Sequence, residues 1–444
     1  MTDPRPWAGR RLHLVGIGGV GMSGYATVAA QLGATVSGSD RSASPALARL
    51  RDAGVAAHAG HDAAHVPAGD DVEVVVSSAI GDENPEIVAA RERGLRVMPR
   101  AELLRELSGL RRTIAVAGAH GKTTTSSMAA HVLLGCGMDP GYLIGGELRS
   151  TGRNAAWGTG EWLVVEADES DRSMLSLVVE VAVVTNVELD HHATYGSLAE
   201  VRDVFREFLA GPPHAVILDR PELLELRGGG DTVAYEALGV RLDADGSSMT
   251  WRGHEVRLGV PGEHNARNAV AALEAARLAG APEADAVAAI ATFGGAGRRF
   301  ERLGTTASGA LVVDDYAHHP TEIAATIAAG RTLGPDRLVA VFQPHLFSRT
   351  QHLAGAFGRA LAGADVVCLV DVYPARERAE DFPGVSGLTV AEAVADAAQG
   401  REVLWLATFD AAERVLGARL RAGDLCLVLG AGDVRVLGER LAAG

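Results

Sequence analysis

At 444 residues, with 47% hydrophobic and 22% charged side chains, the chain carries apolar material for about three packed domains. Its formal net charge of −15 argues against nucleic acid or an anionic membrane surface as a partner, because neither attracts an acidic protein. No apolar run can span a bilayer, since even LSLVVEVAVVTNV at 175–187 is interrupted by Glu180, and MTDPRPWAGRR lacks the apolar core of a signal peptide. Cys136, Cys368 and Cys426 show no metal-ligand spacing, so the expectation is a soluble cytosolic protein with reduced, buried thiols.

The first segment, RLHLVGIGGVGMSG at 11–24, reads as a strand running into Gly16-x-Gly18-x-x-Gly21 at a helix start. A second strand at 34–40 ends on Asp40, completing the mononucleotide-binding pattern of a βαβ unit. Further strands are expected at 72–77 and 95–98, then a helix and linker over 99–112. A nicotinamide cofactor and a UDP-sugar both carry a diphosphate, and the pattern by itself separates them poorly. No side chain suited to hydride transfer can be assigned.

RTIAVAGAHGKTTT at 112–125 organises the rest of the chain. A β-branched strand leads into a GxxGKT loop, with Gly118 and Gly121 letting the backbone curl and a helix opening at Lys122-Thr123. Backbone N–H groups, the helix N-terminus and the lysine all favour a phosphate, and the threonine hydroxyl suits a phosphate-bound Mg²⁺. Lys122 is the only lysine in the chain; every other basic residue is arginine. This position alone kept the compact ammonium that a β/γ-phosphate site uses. The reading is a nucleoside-triphosphate site.

Two acidic strand ends follow. EWLVVEADESD at 161–171 ends in Glu166, Asp168, Glu169 and Asp171; VAVVTNV at 181–187 leads to Glu188, Asp190, His191 and His192. Either cluster alone reads as a solvated loop. Two of them beside a phosphate loop read as a Mg²⁺ site, with Glu166 and His191 as the leading ligands. SMTWRGHEVRL predicts a hairpin turning at Arg252-Gly253 in a small accessory sheet. PGEHNARNAVAALEAARLA at 261–279 predicts a helix with His264, Asn265 and Asn268 near its start, where amides can read an adenine edge or cap the helix. GRRFE at 297–301 offers Arg298 or Arg299 to a γ-phosphate. From 310 the strand–helix alternation restarts, with Tyr316, His318, His345 and Arg349 at or just after strand C-termini.

The stretches GIGGVGMSG (16–24), GAHGKTTT (118–125), EADESD (166–171), TNVELDHH (185–192), PGEHNARNA (261–269), GRRFE (297–301), DDYAHHPTEI (314–323) and FQPHLFSRT (342–350) cover nearly the whole chain. In this order they resemble the Mur ligase family, and FQPHLFSRT resembles its alanine-adding member. Ala119 stands where the family often has threonine, and Asp-His-His at 190–192 replaces the frequent Asp-His-Met. The resemblance implies an α/β protein of three domains: a Rossmann-like UDP-binding domain at 1–108, a central P-loop ATPase-like domain at 109–304 and a C-terminal Rossmann-like domain at 305–444. It implies an ATP-dependent amide ligase of cytoplasmic peptidoglycan precursor synthesis. The lactyl carboxylate of UDP-N-acetylmuramate would attack ATP to form an acyl phosphate, which the amine of L-alanine then opens.

By the same resemblance Gly18, Gly19, Gly21, Asp40 and Ser77 would hold the UDP-sugar. Gly118, Ala119, His120, Gly121, Lys122, Thr123 and Thr124 would cradle the ATP phosphates, with His264, Asn265 and Asn268 at the adenine. Thr123, Glu166 and His191 would hold Mg²⁺. Arg298 and Arg299 would serve the γ-phosphate, and Tyr316, His318, His345 and Arg349 the muramate and alanine. A family device that uses a carbamylated lysine is excluded by the lack of a second lysine.

Overall fold

A strand buried on both faces reads as a nearly continuous apolar run, as VEVVV at 72–76 does in the first sheet. In the computed structural model, which describes residues 5–190, 194–398 and 400–443, five strands form this sheet: β1 Arg11–Val15, β2 Thr35–Asp40, β3 Ala56–Ala59, β4 Val72–Val76 and β5 Arg96–Pro99. All are parallel in the order β3-β2-β1-β4-β5. The chain therefore reverses its direction of winding between β1 and β4, opening a crevice at their C-terminal ends. Gly16, at φ +85°, turns the backbone out of β1, and its N–H and that of Ile17 both donate to the Ser39 carbonyl. The helix Val20–Gln31 follows, capped by Gly19 without any side-chain hydrogen bond.

The second sheet has seven strands: β6 Arg112–Ala117, β7 Gly141–Leu148, β8 Arg153–Ala156, β9 Trp162–Glu166, β10 Val181–Val184, β11 His214–Leu218 and β12 Asp231–Tyr235. Their order is β12-β11-β10-β6-β9-β7-β8, parallel except for the β7–β8 hairpin at one edge. Because β6 lies between β10 and β9, the loop leaving β6 is flanked by the ends of both acidic strands; Val116 pairs with Glu166 and Ala117 with Val184. The helix Lys122–Gly135 is buried from Thr123 through Leu133, so it shows no amphipathic stripe. Gly135 lets it approach Ala289 of the helix Glu283–Ile290 closely.

Three antiparallel strands, β13 Leu238–Asp243, β14 Gly246–Trp251 and β15 His254–Leu258, make the expected accessory sheet. Its β14–β15 turn sets Arg252 and Gly253 at φ +48° and +84°, both in the left-handed region that two-residue hairpins require. The last sheet contains β16 Glu301–Thr305, β17 Leu311–Asp315, β18 Arg337–Phe342, β19 Val366–Leu369, β20 Glu402–Trp405 and β21 Asp424–Leu429. Its order is β16-β17-β21-β18-β19-β20, parallel apart from β16. That antiparallel edge strand has no counterpart in the sequence reading, and position 304 falls inside it.

The chain divides into two compact units: 1–189, 194–236 and 269–290 form the first, and 190–193, 237–268 and 291–444 the second. The first two sheets belong to the first unit. Among the described residues no helix is long and apolar enough to cross a membrane, and Cys136, Cys368 and Cys426 are free thiols.

Candidate functional site

In the first unit, two sheets each end in a glycine loop at a helix N-terminus. At the first, the Gly18 N–H donates to Asp40 Oδ2 at 2.9 Å, so the acid that completes the glycine pattern braces the loop. Ser77, just beyond β4, packs on the loop: a Cβ added at Gly16 would lie 3.0 Å from the Ser77 Cβ. Gly19 and Gly21 line the exposed start of the helix. All five residues assigned to the UDP-sugar thus come together at the crevice.

At the second loop, Gly118 adopts φ +141° and Gly121 φ +81°. Thr185 and Asn186 shape the curl from the end of β10. The Thr185 hydroxyl donates to the His120 carbonyl at 2.6 Å; the Asn186 amide accepts from the His120 N–H and donates to its carbonyl, both at 2.9 Å. Both open the TNVELDHH stretch, but neither was given a role from the sequence, because only the pairing of β6 with β10 brings them to the loop. Thr124 is buried beneath it, and the His120 ring meets Glu188 at 3.4 Å. A Cβ at Gly118 would collide with Thr185 Oγ1. Gly118→Ala is expected to weaken ATP binding about tenfold or more in a nucleotide titration, since a forced left-handed backbone costs on the order of 1–3 kcal/mol.

Lys122 Nζ donates to the Gly118 carbonyl at 2.6 Å and to both oxygens of Glu169 at 2.9 and 3.1 Å. Burial works against its charge, but Glu169 and Asp168 outweigh it and hold the ammonium above its ordinary range. Burial pushes the Asp168 carboxyl up, whereas Lys122, Ser170 and Arg100 pull it down further, to about 2. The Thr123 hydroxyl lies 3.1 Å from Glu166 Oε2, and Glu166 also accepts from the Ser126 hydroxyl at 3.4 Å and from the Gly145 N–H. Four carboxylates in six residues are tolerated here because each has a partner: Glu166 on hydroxyls and an amide, Glu169 on Lys122, and Asp168 and Asp171 on Arg100. Arg100 lies outside every motif of the sequence reading. His191, the second expected metal ligand, is outside the described residues.

The remaining assigned residues belong to the second unit. Two guanidiniums lie over the Tyr316 ring, Arg298 at 4.9 Å and Arg299 at 5.0 Å from its centre. Arg298 is also held by Asp314 at 3.3 Å and the Gly430 carbonyl at 2.8 Å, while Arg299 lies 3.9 Å from Glu322. The Tyr316, His318 and His345 rings meet edge to face, and Tyr373, which the sequence reading missed, stacks on His345 at 5.7 Å. Burial, then the nearby His318, Arg349 and Arg376, push the His345 imidazole down to about 3, so the ring is neutral at neutral pH. Arg349 pairs with Asp190 at 2.8 Å, both almost fully buried. Asn265 donates its amide to the Pro261 carbonyl at 2.7 Å. Asn268 is buried on the same helix, Glu263–Leu278, and burial pushes the His264 ring down to about 4.

Parallel α/β sheets, a glycine crevice at a switch point and a lysine-bearing phosphate loop define a nucleotide-binding α/β protein. Three family models then match in succession: the Mur ligase family catalytic domain at 11–112, the Mur ligase middle domain at 116–276 and the Mur ligase glutamate ligase domain at 298–432. The chain belongs to the Mur ligase family, and so to ligases that use a nucleotide. It is 47% identical to a UDP-N-acetylmuramate–L-alanine ligase of Acidithiobacillus ferrooxidans, covering 98% of this chain and 97% of that one. A Streptomyces coelicolor protein of the same name is 44% identical, with 99% of each chain covered. Among solved structures, the UDP-N-acetylmuramate–alanine ligase of Thermotoga maritima superposes with a TM-score of 0.83 at 28% identity over 98% of both chains.

Proposed function

We propose that the chain joins L-alanine to the lactyl carboxylate of UDP-N-acetylmuramate with ATP as co-substrate, in cytoplasmic peptidoglycan precursor synthesis. The observation that carries this reading is the gathering of the Lys122 ammonium, Thr123 hydroxyl and Glu166 carboxylate around one phosphate loop. High identity over full length to alanine ligases supports the choice of amino acid.

In this reading Gly118–Thr124 cradle the ATP phosphates, and Lys122 neutralises the charge that builds on the transferring phosphoryl group. No protein nucleophile is required, since the substrate carboxylate attacks; the protein contributes positioning and charge. Thr123 and Glu166 present hard oxygen donors 3.1 Å apart, a set that suits Mg²⁺, with His191 proposed as a further ligand. When bound, Mg²⁺ would neutralise phosphate oxygens. Gly18, Gly19, Gly21, Asp40 and Ser77 take the UDP-sugar, and His264, Asn265 and Asn268 the adenine. Arg298 and Arg299 serve the γ-phosphate, while Tyr316, His318, His345 and Arg349 orient muramate and alanine. The neutral His345 suits contact with an incoming amine better than a cation would. A three-domain division near 108 and just ahead of β16, and a cytoplasmic location, favoured by three free thiols, belong to the same reading.

The test is phosphate release from ATP and Mg²⁺ by purified protein, with UDP-N-acetylmuramate, L-alanine, or both. Release that needs both, with a product heavier by one alanyl residue, is expected. Release only when a tripeptide replaces alanine would move the protein to peptide-adding ligases, such as the murein peptide ligase of Psychrobacter arcticus that it also resembles (TM-score 0.72, 26% identity, 98% of each chain).

A further inference from the structure

Arg100, the first residue of the helix Arg100–Ser108, follows directly on β5 of the first sheet, yet one edge of its guanidinium is spent on the second. Nε donates to Asp171 Oδ2 at 3.0 Å, and Nη2 donates to the same oxygen at 2.5 Å and to Asp168 Oδ2 at 3.2 Å. Nη1 makes no hydrogen bond among the described residues. A Cβ added at Gly21 would lie 3.5 Å from it. The side chain is only 18% exposed, so this free edge is not a surface arginine reaching for bulk water. It lies beside the first turn of the helix Val20–Gln31, whose N-cap Gly19 offers no side-chain hydrogen bond.

A guanidinium is a planar fork with donors on two edges, and it can hold a carboxylate on one and a phosphate on the other. A bare helix N-terminus attracts an anion weakly; a fixed cation beside it makes the attraction strong and directional. We propose that Arg100 binds the diphosphate of the UDP-sugar through Nη1, and that its other edge ties the filled glycine loop to the acidic end of β9. That end includes Asp168, whose neighbour Glu169 holds Lys122, so the link reaches the ATP phosphate loop within one unit of the fold. This rests on the reading that the glycine loop takes UDP-N-acetylmuramate. It adds a binding residue that no glycine motif contains.

The experiment compares dissociation constants of UDP and of uridine for wild type, Arg100→Met and Arg100→Lys, by calorimetry on the full chain. The wild type is expected to prefer UDP. Arg100→Met should lose at least tenfold in UDP affinity while its uridine affinity is unchanged, so that the UDP-to-uridine preference falls by the same factor. Arg100→Lys keeps a cation against Asp168 and Asp171 but loses the fork, and should fall between; it carries the test if the methionine variant does not fold. A purely structural role would weaken both ligands together, and an unchanged preference in a folded variant overturns the assignment of Arg100 alone. A wild type that binds neither UDP nor UDP-N-acetylmuramate overturns the proposed function and this inference with it.

Discussion

Replacing Lys122 by methionine is expected to lower kcat/KM for the ligase reaction about 100- to 1000-fold, and to lower the melting temperature as well, because the buried Glu169 carboxylate loses its partner. Methionine fills much of the same volume, so the loss is one of charge. In the folded protein the ammonium is spanned by the Gly118 carbonyl and both oxygens of Glu169, which hold it charged and aimed along the loop. Removing one such pre-aimed donor from a phosphoryl-transfer site costs on the order of 3–4 kcal/mol of transition-state stabilisation. The chain has no second lysine to take its place. Arginine at this position should rescue poorly, because a planar fork cannot occupy the same curl of backbone as a compact ammonium. Steady-state kinetics with all three substrates is the check. Near wild-type turnover in the methionine variant would remove Lys122 from the mechanism.

The second large effect concerns stability, at Asp314. This carboxylate is fully buried at the end of β17, 3.1 Å from Arg435 and 3.3 Å from Arg298; Arg435 in turn pairs with Glu301 at 2.7 Å. Burial raises the Asp314 carboxyl above the usual range, and the two arginines offset only part of that penalty. Desolvation therefore outweighs the ion pairing, and the two possible replacements should diverge. Asp314→Ala strips both guanidiniums of a buried partner and is expected to destabilise by about 3 kcal/mol, in line with other broken buried pairs. Asp314→Asn keeps an acceptor oxygen and removes the charge that burial disfavours, so it should cost less than half as much. The sign with pH follows: a carboxyl whose folded pKa is raised binds its proton more readily when folded. Its unfavourable contribution shrinks as the pH falls through the folded pKa towards the unfolded one, and Asp314→Asn should remove that dependence. Denaturant unfolding of the three proteins across pH measures both quantities. Equal losses in Ala and Asn would show that the buried charge itself, rather than the acceptor, is what the fold needs.

Lys122, Thr123 and the glycines at 16–21 and 118–121 were legible in the chain because their requirement is local. A strand, a positive-φ turn and a helix start must be adjacent in sequence to cradle an anion at all. The alternation of apolar strands with helices likewise announced parallel sheets, and the hairpin at Arg252-Gly253 announced its own turn. The acids at 166–171 were visible, but the sequence could not say which partner each would take. That was decided by the order of strands: β6 between β9 and β10 sets Glu166 on Thr123, Glu169 on Lys122, and Thr185 and Asn186 under the loop. Arg100 meets Asp171 across 71 residues, and Arg435 meets Asp314 across 121. Tyr373 reached His345 in the same way, through the bridge between residues 345 and 373. By itself the sequence determined where the two glycine turns open into helices, since that depends on backbone conformation over a few neighbouring residues. Only the tertiary structure decided which charges offset one another, because a parallel sheet gathers strand ends without regard to their separation along the chain.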